Sequence, residues 1–431
     1  MRLALMLLAG TASIAASSPA TAIDFGVDLF AEAAYTDNTT RVERNKESEV
    51  ILTPGIAVAA SHAGPDLNLD LDYSVERQIY QEDFYSDETV STGTADLLWN
   101  ALPNRLDLNI NHSRTQSARR AAAVDTPNNR QEITNTSAGP TLRFNPRGED
   151  ELQFQFMYGD RKYSETDTDS TTETSTARYI LQLSPLNSLT LQGSRSDVEY
   201  DNQFIPDLEY ETVQATWARQ TRDVTLSLMG GRTSTKRTMN RDDVDGGIGE
   251  LSIDWALAPG TSLNITGARD IRDQAEQLSS GGTIDDQLFD VNSGFGEVFY
   301  STRAEVSLSH EFNSTNSLEL GVFSDDEDFD DALFDQESRG ATLTYTRQLN
   351  RAVLAGLNLG VSKQDFSDEN DEKEIRRAGI FTNWSATRSV SFDFEVAYRD
   401  EDNKSPLFSR TYDEWRGVVR VTYTPLAMPE R

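Results

Sequence analysis

Cysteine is absent from the 431 residues, and histidine occurs only three times. Disulfide staples, thiolate metal sites and thiol nucleophiles are thereby excluded, and little imidazole is left for acid–base work. No run beyond the first twenty residues approaches the eighteen or so apolar residues that a spanning helix needs. Positive charge is also scarce: 39 Lys and Arg against 71 Asp and Glu give a net charge of −32. A chain without a basic footprint is not built for a phosphate backbone, so no nucleic acid partner is expected. There is no P-loop, no GxGxxG and no Cys/His cluster, so no cofactor and no metal site are expected. The acidic excess would suit a solvated tail, but 19 Phe, 14 Tyr and 5 Trp are more rings than such a tail carries.

What the chain has instead is a two-residue beat. Leu67-Asn68-Leu69-Asp70-Leu71-Asp72-Tyr73-Ser74-Val75 swaps apolar for polar at every step, the mark of a strand with one oily and one wet face. Leu106-Asp107-Leu108-Asn109-Ile110 and Val390-Ser391-Phe392-Asp393-Phe394-Glu395-Val396 do the same. The pattern returns about twenty times at bilayer-crossing length. Between the copies, short turns such as Ala101–Asn104, Asn145–Gly148 and Ala258–Thr261 trade places with long polar stretches such as 37–48, Ser164–Ser175, Arg237–Gly247, Asp273–Asn292 and Ser324–Gln336. Short turns on one rim and long loops on the other describe an outer-membrane barrel. The expected fold is all-β: an antiparallel up-and-down barrel of about 20 strands, with eighteen as the alternative.

Period alone does not separate a lipid-facing barrel from a soluble one, but tryptophan placement does. Trp99, Trp217, Trp255 and Trp384 each lie two to four residues before a short turn, with Phe144, Tyr179 and Tyr345 at comparable places. Indole prefers the headgroup level, so these residues form the candidate interfacial girdle. The opposite parity supplies the candidate pore lining: Asp70, Asp72, Glu76, Asp107, Arg143, Arg303, Asp393, Glu395, Arg416 and Arg420. Its mixed sign names no preferred ion.

Catalysis finds no support. His62 and His310 sit beside short turns, and His112 shares the lipid-side parity of Leu108 and Ile110, with Arg114 two residues on rather than a serine. The acidic runs Asp325–Asp331, Asp368–Glu372 and Glu165–Asp169 lack the spacing and central glycine of a calcium loop, and read as solvated loop surface. At the N-terminus, Arg2, the apolar run Leu3–Ala9 and Ala20-Thr21-Ala22 have the anatomy of a secretory signal peptide. The expected layout is a signal peptide at 1–22, a barrel over 23–423 and a short tail at 424–431.

Tyr35-Thr36-Asp37-Asn38, Thr53-Pro54-Gly55-Ile56 and Leu69-Asp70-Leu71-Asp72-Tyr73-Ser74 resemble the opening of a family of outer-membrane β-barrel proteins. The genes of that family accompany exosortase (PEP-CTERM) sorting and exopolysaccharide production in Gram-negative bacteria. The resemblance implies an outer-membrane, porin-like barrel with a role in polysaccharide export. It implies as partners outer-membrane lipid and lipopolysaccharide, exopolysaccharide or its export machinery, and the barrel assembly machinery. The alternative is a plugged structural barrel whose acidic outer loops bind divalent ions, lipopolysaccharide or matrix. One departure is that the last strand ends near Val421-Thr422-Tyr423 and the chain runs on to Arg431, where such barrels commonly finish on an aromatic residue.

Overall fold

Twenty strands alternate direction around one closed sheet. The structure is a computed structural model and describes residues 23–119, 126–239, 241–273, 298–329, 335–366, 372–404 and 410–426. The expected signal peptide, most of the stretch Asp273–Asn292, most of the acidic run Asp368–Glu372 and the end of the C-terminal tail lie outside the described residues.

In chain order the strands are β1 (Asp24–Thr36), β2 (Glu49–Ala63), β3 (Leu67–Tyr80), β4 (Glu88–Leu102), β5 (Leu106–Ala118), β6 (Arg130–Arg147) and β7 (Asp150–Tyr163). Then come β8 (Ser170–Ser184), β9 (Asn187–Tyr200), β10 (Leu208–Gln220), β11 (Val224–Arg237), β12 (Val244–Ala258), β13 (Thr261–Asp273) and β14 (Val298–Asn313). The last are β15 (Asn316–Phe329), β16 (Gln336–Asn350), β17 (Val353–Phe366), β18 (Glu372–Ser385), β19 (Val390–Asn403) and β20 (Arg410–Leu426). Every strand pairs antiparallel with its sequence neighbours, and β1 pairs with β20 to close the ring. The ring is closed, so through the apolar belt the backbone satisfies its own hydrogen bonds, as a chain surrounded by hydrocarbon must. The strand count is twenty, not eighteen.

The two rims differ as the turn chemistry predicts. On one rim the connections run from two residues (148–149) to four (386–389). Asn104 (φ 59°), Gly148 (φ 70°) and Gly260 (φ 74°) take the left-handed conformation these tight turns demand. On the other rim lie the longer connections, 37–48 among them.

Three expected loops are shorter than their composition implied. β8 starts at Ser170, β12 at Val244, and β15 continues to Phe329. Near this rim both faces of a strand carry polar residues, as in Thr171-Thr172-Glu173-Thr174-Ser175. Alternation therefore vanishes while the hydrogen-bond ladder continues. The described part of the acidic run at 325–329 is consequently strand, with Asp325 and Glu327 buried and Asp326 and Asp328 exposed. At the C-terminus, β20 also runs past Tyr423. A register shift near Val27 and a bond from Thr424 Oγ1 to Asp28 Oδ1 (2.5 Å) carry the pairing to Leu426.

The sheet's concave side can be identified from long reaches. Arg420 Nη2 of β20 lies 3.9 Å from Glu76 Oε2 of β3, although β1 and β2 intervene. Three strand spacings are about 14 Å along the wall, and two side chains can close that gap only inside the curve. Glu76 shares its face with Asp70 and Asp72. The convex side carries Leu29, Ile56, Val75, Ile110, Phe154, Phe156, Leu228, Val322, Ile380 and Val396, each more than a third exposed. The interior is polar and the exterior apolar, the inverse of a soluble barrel.

Candidate functional site: the lumen and its long-loop mouth

All ten candidate lining residues fall on the concave face. Asp70 stands opposite Asp96 on β4 and Ser61 on β2, and Ser61 stands opposite Asp24 on β1. Carboxylates thus form a row near the short-turn rim. Asp107 is almost fully buried because Arg143 Nη2 reaches its Oδ2 at 2.6 Å, while Arg143 Nε faces Glu151 at 3.6 Å. Arg303 lies 3.9 Å from Asp270, Asp393 bonds Asn383, and Glu395 stands between Phe381 and Val418. Arg416 and Arg420 both reach Glu32, at 3.9 and 3.6 Å.

Several lumen residues had no clear signal in the sequence. Phe30 breaks the polar parity of β1, yet its ring points inward and lies over Gly55, where an added Cβ would sit 2.2 Å from Cζ. The Arg420 guanidinium caps the ring's other face, 4.1 Å from its centroid. Phe323 over Gly340 and Phe381 over Gly356 repeat this arrangement on β15/β16 and β17/β18. The signal would have been an inward-parity aromatic opposite a glycine, which requires the strand register and so could not be read from one strand.

The four candidate girdle tryptophans all lie on the convex face near the short-turn ends of β4, β10, β12 and β18. Trp99, Trp255 and Trp384 are 48%, 45% and 42% exposed. The Tyr179 and Tyr345 hydroxyls donate toward that rim, to Asp150 and Asn316 (2.9 Å each). A second ring level, missed in the sequence, lies toward the long loops and includes Tyr35, Tyr158, Tyr398 and Trp415. Along β1 the interval Phe25–Tyr35 is ten steps of about 3.3 Å. At a tilt near 40° that is about 25 Å of height, the thickness of a lipid-facing band. Beyond it the convex face turns ionic, with Arg195–Glu209 (2.8 Å), Lys236–Glu209 (2.6 Å) and Arg376–Glu374 (2.9 Å).

His112 lies on the convex face with both ring nitrogens engaged, by Tyr73 Oη (2.5 Å) and Thr136 Oγ1 (2.8 Å). His310 Nδ1 faces Thr261 Oγ1 (2.8 Å). Among the described residues, no group of three His, Cys, Asp or Glu is arranged to hold a metal ion. In the run Glu165–Asp169, Asp169 accepts the Tyr163 backbone N–H (2.8 Å), so it shapes the turn.

Burial is concentrated at one level. Tyr80, Val90, Ile133, Tyr163, Tyr200, Leu208, Val244, Ile375 and Tyr412 are all buried and all lie within a few residues of a long connection. In the same layer Glu401, fully buried, receives Lys373 Nζ (3.7 Å), Arg399 Nη2 (2.5 Å) and Tyr412 Oη (3.0 Å). The loop 37–48 is strapped to β20 by Asn38 Nδ2 donating to the Asp413 carbonyl (2.8 Å), Arg41 to Glu414 (3.1 Å) and Lys46 to Asp413 (2.6 Å). Below this packed mouth the inner wall carries half-exposed side chains. Its composition is uneven: the inner faces of β8–β11 carry hydroxyls and amides, with Arg178 and Arg237 the charged side chains among the described residues, and those of β16 and β17 carry no charge.

No protein-family model matches the sequence, and no curated protein matches it. Solved structures do match. The FrpB iron transporter of Neisseria meningitidis (F5-1 variant) aligns at TM-score 0.50 and 10% identity, over 93% of this chain and 82% of its own. A mutant form of the ferric enterobactin receptor PfeA of Pseudomonas aeruginosa aligns at TM-score 0.50 and 10% identity, over 93% and 80%. The outer membrane protein OpdK of Pseudomonas aeruginosa aligns at TM-score 0.41 and 9% identity, over 93% and 99%. At such identities the likeness concerns fold, and the fold is that of an outer-membrane-type β-barrel.

Proposed function

We propose that this chain is an outer-membrane channel that passes polar, hydroxyl-rich solutes and serves a polysaccharide-producing system of the exosortase (PEP-CTERM) kind. The observation that carries the reading is the hydroxyl- and amide-rich wall of β8–β11, which has no carboxylate on its inner face and in which Arg178 and Arg237 are the charged side chains among the described residues. Thr174–Ser196 and Thr212–Thr233 hydroxyl pairs (2.9 Å each) hold donors and acceptors in fixed rows across β8–β11. Such rows exchange hydrogen bonds with a sugar without trapping it, as a buried charge would. The inward rings of Phe323 and Phe381, flat on their glycines, offer apolar faces for the C–H side of a pyranose. The aromatic levels and apolar belt support outer-membrane lipid as the surroundings. The ionic collar beyond them suits lipopolysaccharide headgroups, and insertion would run through the barrel assembly machinery.

Purified protein in planar bilayers should give stepwise conductance that neutral oligosaccharides reduce at millimolar concentration. Steps unaffected by sugar would remove the saccharide reading, and absence of steps would remove the channel.

The row Asp24, Asp70 and Asp96 also sets an expectation for ions. Opposed carboxylates in a wet lumen attract cations, so the channel should prefer K⁺ over Cl⁻. Asp70→Asn with Asp96→Asn should lower the permeability ratio by about two-fold, read from the reversal potential in a salt gradient. An unchanged ratio would show that ions do not pass along β3 and β4.

The packed mouth favours one second reading, a narrowed structural barrel whose surface engages ions, lipopolysaccharide or matrix. The same bilayer experiment separates the two.

A further inference from the structure

The barrel wall splits at one seam. β12 and β13 pair only as far as Gly249 with Arg269. β12 nevertheless stays paired with β11 up to Val244, and β13 with β14 up to Asp273 and Val298. The strand ends 244–248 and 270–273 have therefore parted company.

Where β13 and β14 go is told by their parity. Ile271 and Val298 belong to the convex set, in step with Ile265 and Val306 across an unbroken register. They are nonetheless buried, at 5% and 1% exposure, in one cluster with Val198, Tyr200, Leu208, Tyr210 and Val244, which belong to the concave set. A convex face can pack on a concave one only if the end of the β13–β14 hairpin has slipped inside the wall formed by β9–β12.

Two further contacts agree. Tyr200 Oη of β9 donates to Asp273 Oδ2 of β13 at 2.6 Å, although three strands lie between them in the sheet, about 19 Å along the wall. Tyr300 Oη donates to the Asp245 carbonyl (2.8 Å), and its ring fills the space over Gly246, where an added Cβ would meet Tyr300 Cε1 at 2.5 Å and Ile271 Cδ1 at 3.0 Å. Glycine at 246 is what allows the second layer to lie so close.

We propose that the tucked end of β13–β14 is a gate: seated against β9–β12 it narrows the long-loop mouth, and swung back into the seam beside β12 it widens it. The hinge is the last shared pair, Gly249 and Arg269. The seat is mostly apolar, with Arg237 standing opposite Leu208 at its edge, and the packing and tyrosine hydrogen bonds across it are contacts that can be undone without unfolding the barrel. The gate rests on the channel reading, but the tuck itself can be tested apart from it.

A cysteine-free chain makes the test clean. Full-length protein is reconstituted in vesicles with Ile271→Cys or, as an outward-facing control on the same rim, Arg232→Cys. Labelling by a membrane-impermeant maleimide is then timed. At least ten-fold slower labelling at 271 is expected, whereas equal rates overturn the tuck. Adding Gly246→Leu should remove the protection at 271 and raise single-channel conductance at least two-fold. If that variant fails to reach the folded form, Tyr200→Phe with Asp273→Asn serves for the same two readouts. Protection lost with conductance unchanged overturns the gate. A wild type and unseated variant that both stay silent, with the labelling contrast intact, overturn the channel reading instead.

Discussion

Ile380→Arg should destabilise the protein in lipid vesicles by about 2–4 kcal/mol, while Asn358→Arg on the adjoining strand should change stability by less than about 1 kcal/mol. Ile380 is 58% exposed on the convex face, between Leu357 and Val396. Asn358 stands opposite Gly379 on the concave face and is also exposed. By exposure alone the two substitutions look alike, since both place a guanidinium in open space. They differ only if the space outside is hydrocarbon and the space inside is water, because a charge at mid-bilayer loses its hydration and one in a wet lumen keeps it. Denaturant titration in vesicles measures both. Equal effects would mean that the apolar belt faces water, and the lipid-facing assignment would have to be abandoned.

That assignment was legible in the sequence because lipid contact enforces a strict pattern. From Leu67 to Val75 one parity must be apolar, and each short turn needs a residue able to take its backbone conformation, as Asn104 and Gly148 do. Strand number, register of faces and the tryptophan level all follow from these constraints. Outside the belt the constraint lapses. Ser170–Ser175 and Asp325–Phe329 are strand in a solvent that tolerates polar groups on both faces, so their composition resembles loop. The tucked hairpin was illegible for a different reason. Ile271 and Val298 obey the convex parity in sequence, and nothing in a single strand reveals that its outer face is covered by another part of the wall. Phe30 is intermediate, since an inward ring makes sense only once Gly55 is known to stand beside it. Local alternation is therefore informative about the medium on each side of the sheet, and uninformative about contacts between distant strands.

The closing seam should be the least forgiving place in the molecule. Val419 pairs with Ala33 on β1 and with Phe394 on β19, in a stretch of regular register. Val419→Pro removes one ladder donor and leaves a facing carbonyl unpaired, where no water can replace it. An unsatisfied backbone group in hydrocarbon costs several kcal/mol, enough to reduce the folded fraction by ten-fold or more. Val419→Ala, which keeps the donor and trims only lipid-facing surface, should assemble normally. The readout is the share of protein migrating in the compact, heat-sensitive form on unheated gels after refolding into vesicles. In an open sheet the same proline would merely shorten an edge, which proteins tolerate readily. A ring has no edge to shorten: β1 and β20 must each find the other, and losing that pairing exposes two strands at once. Normal assembly of the proline variant would mean that the seam is not what holds the ring shut.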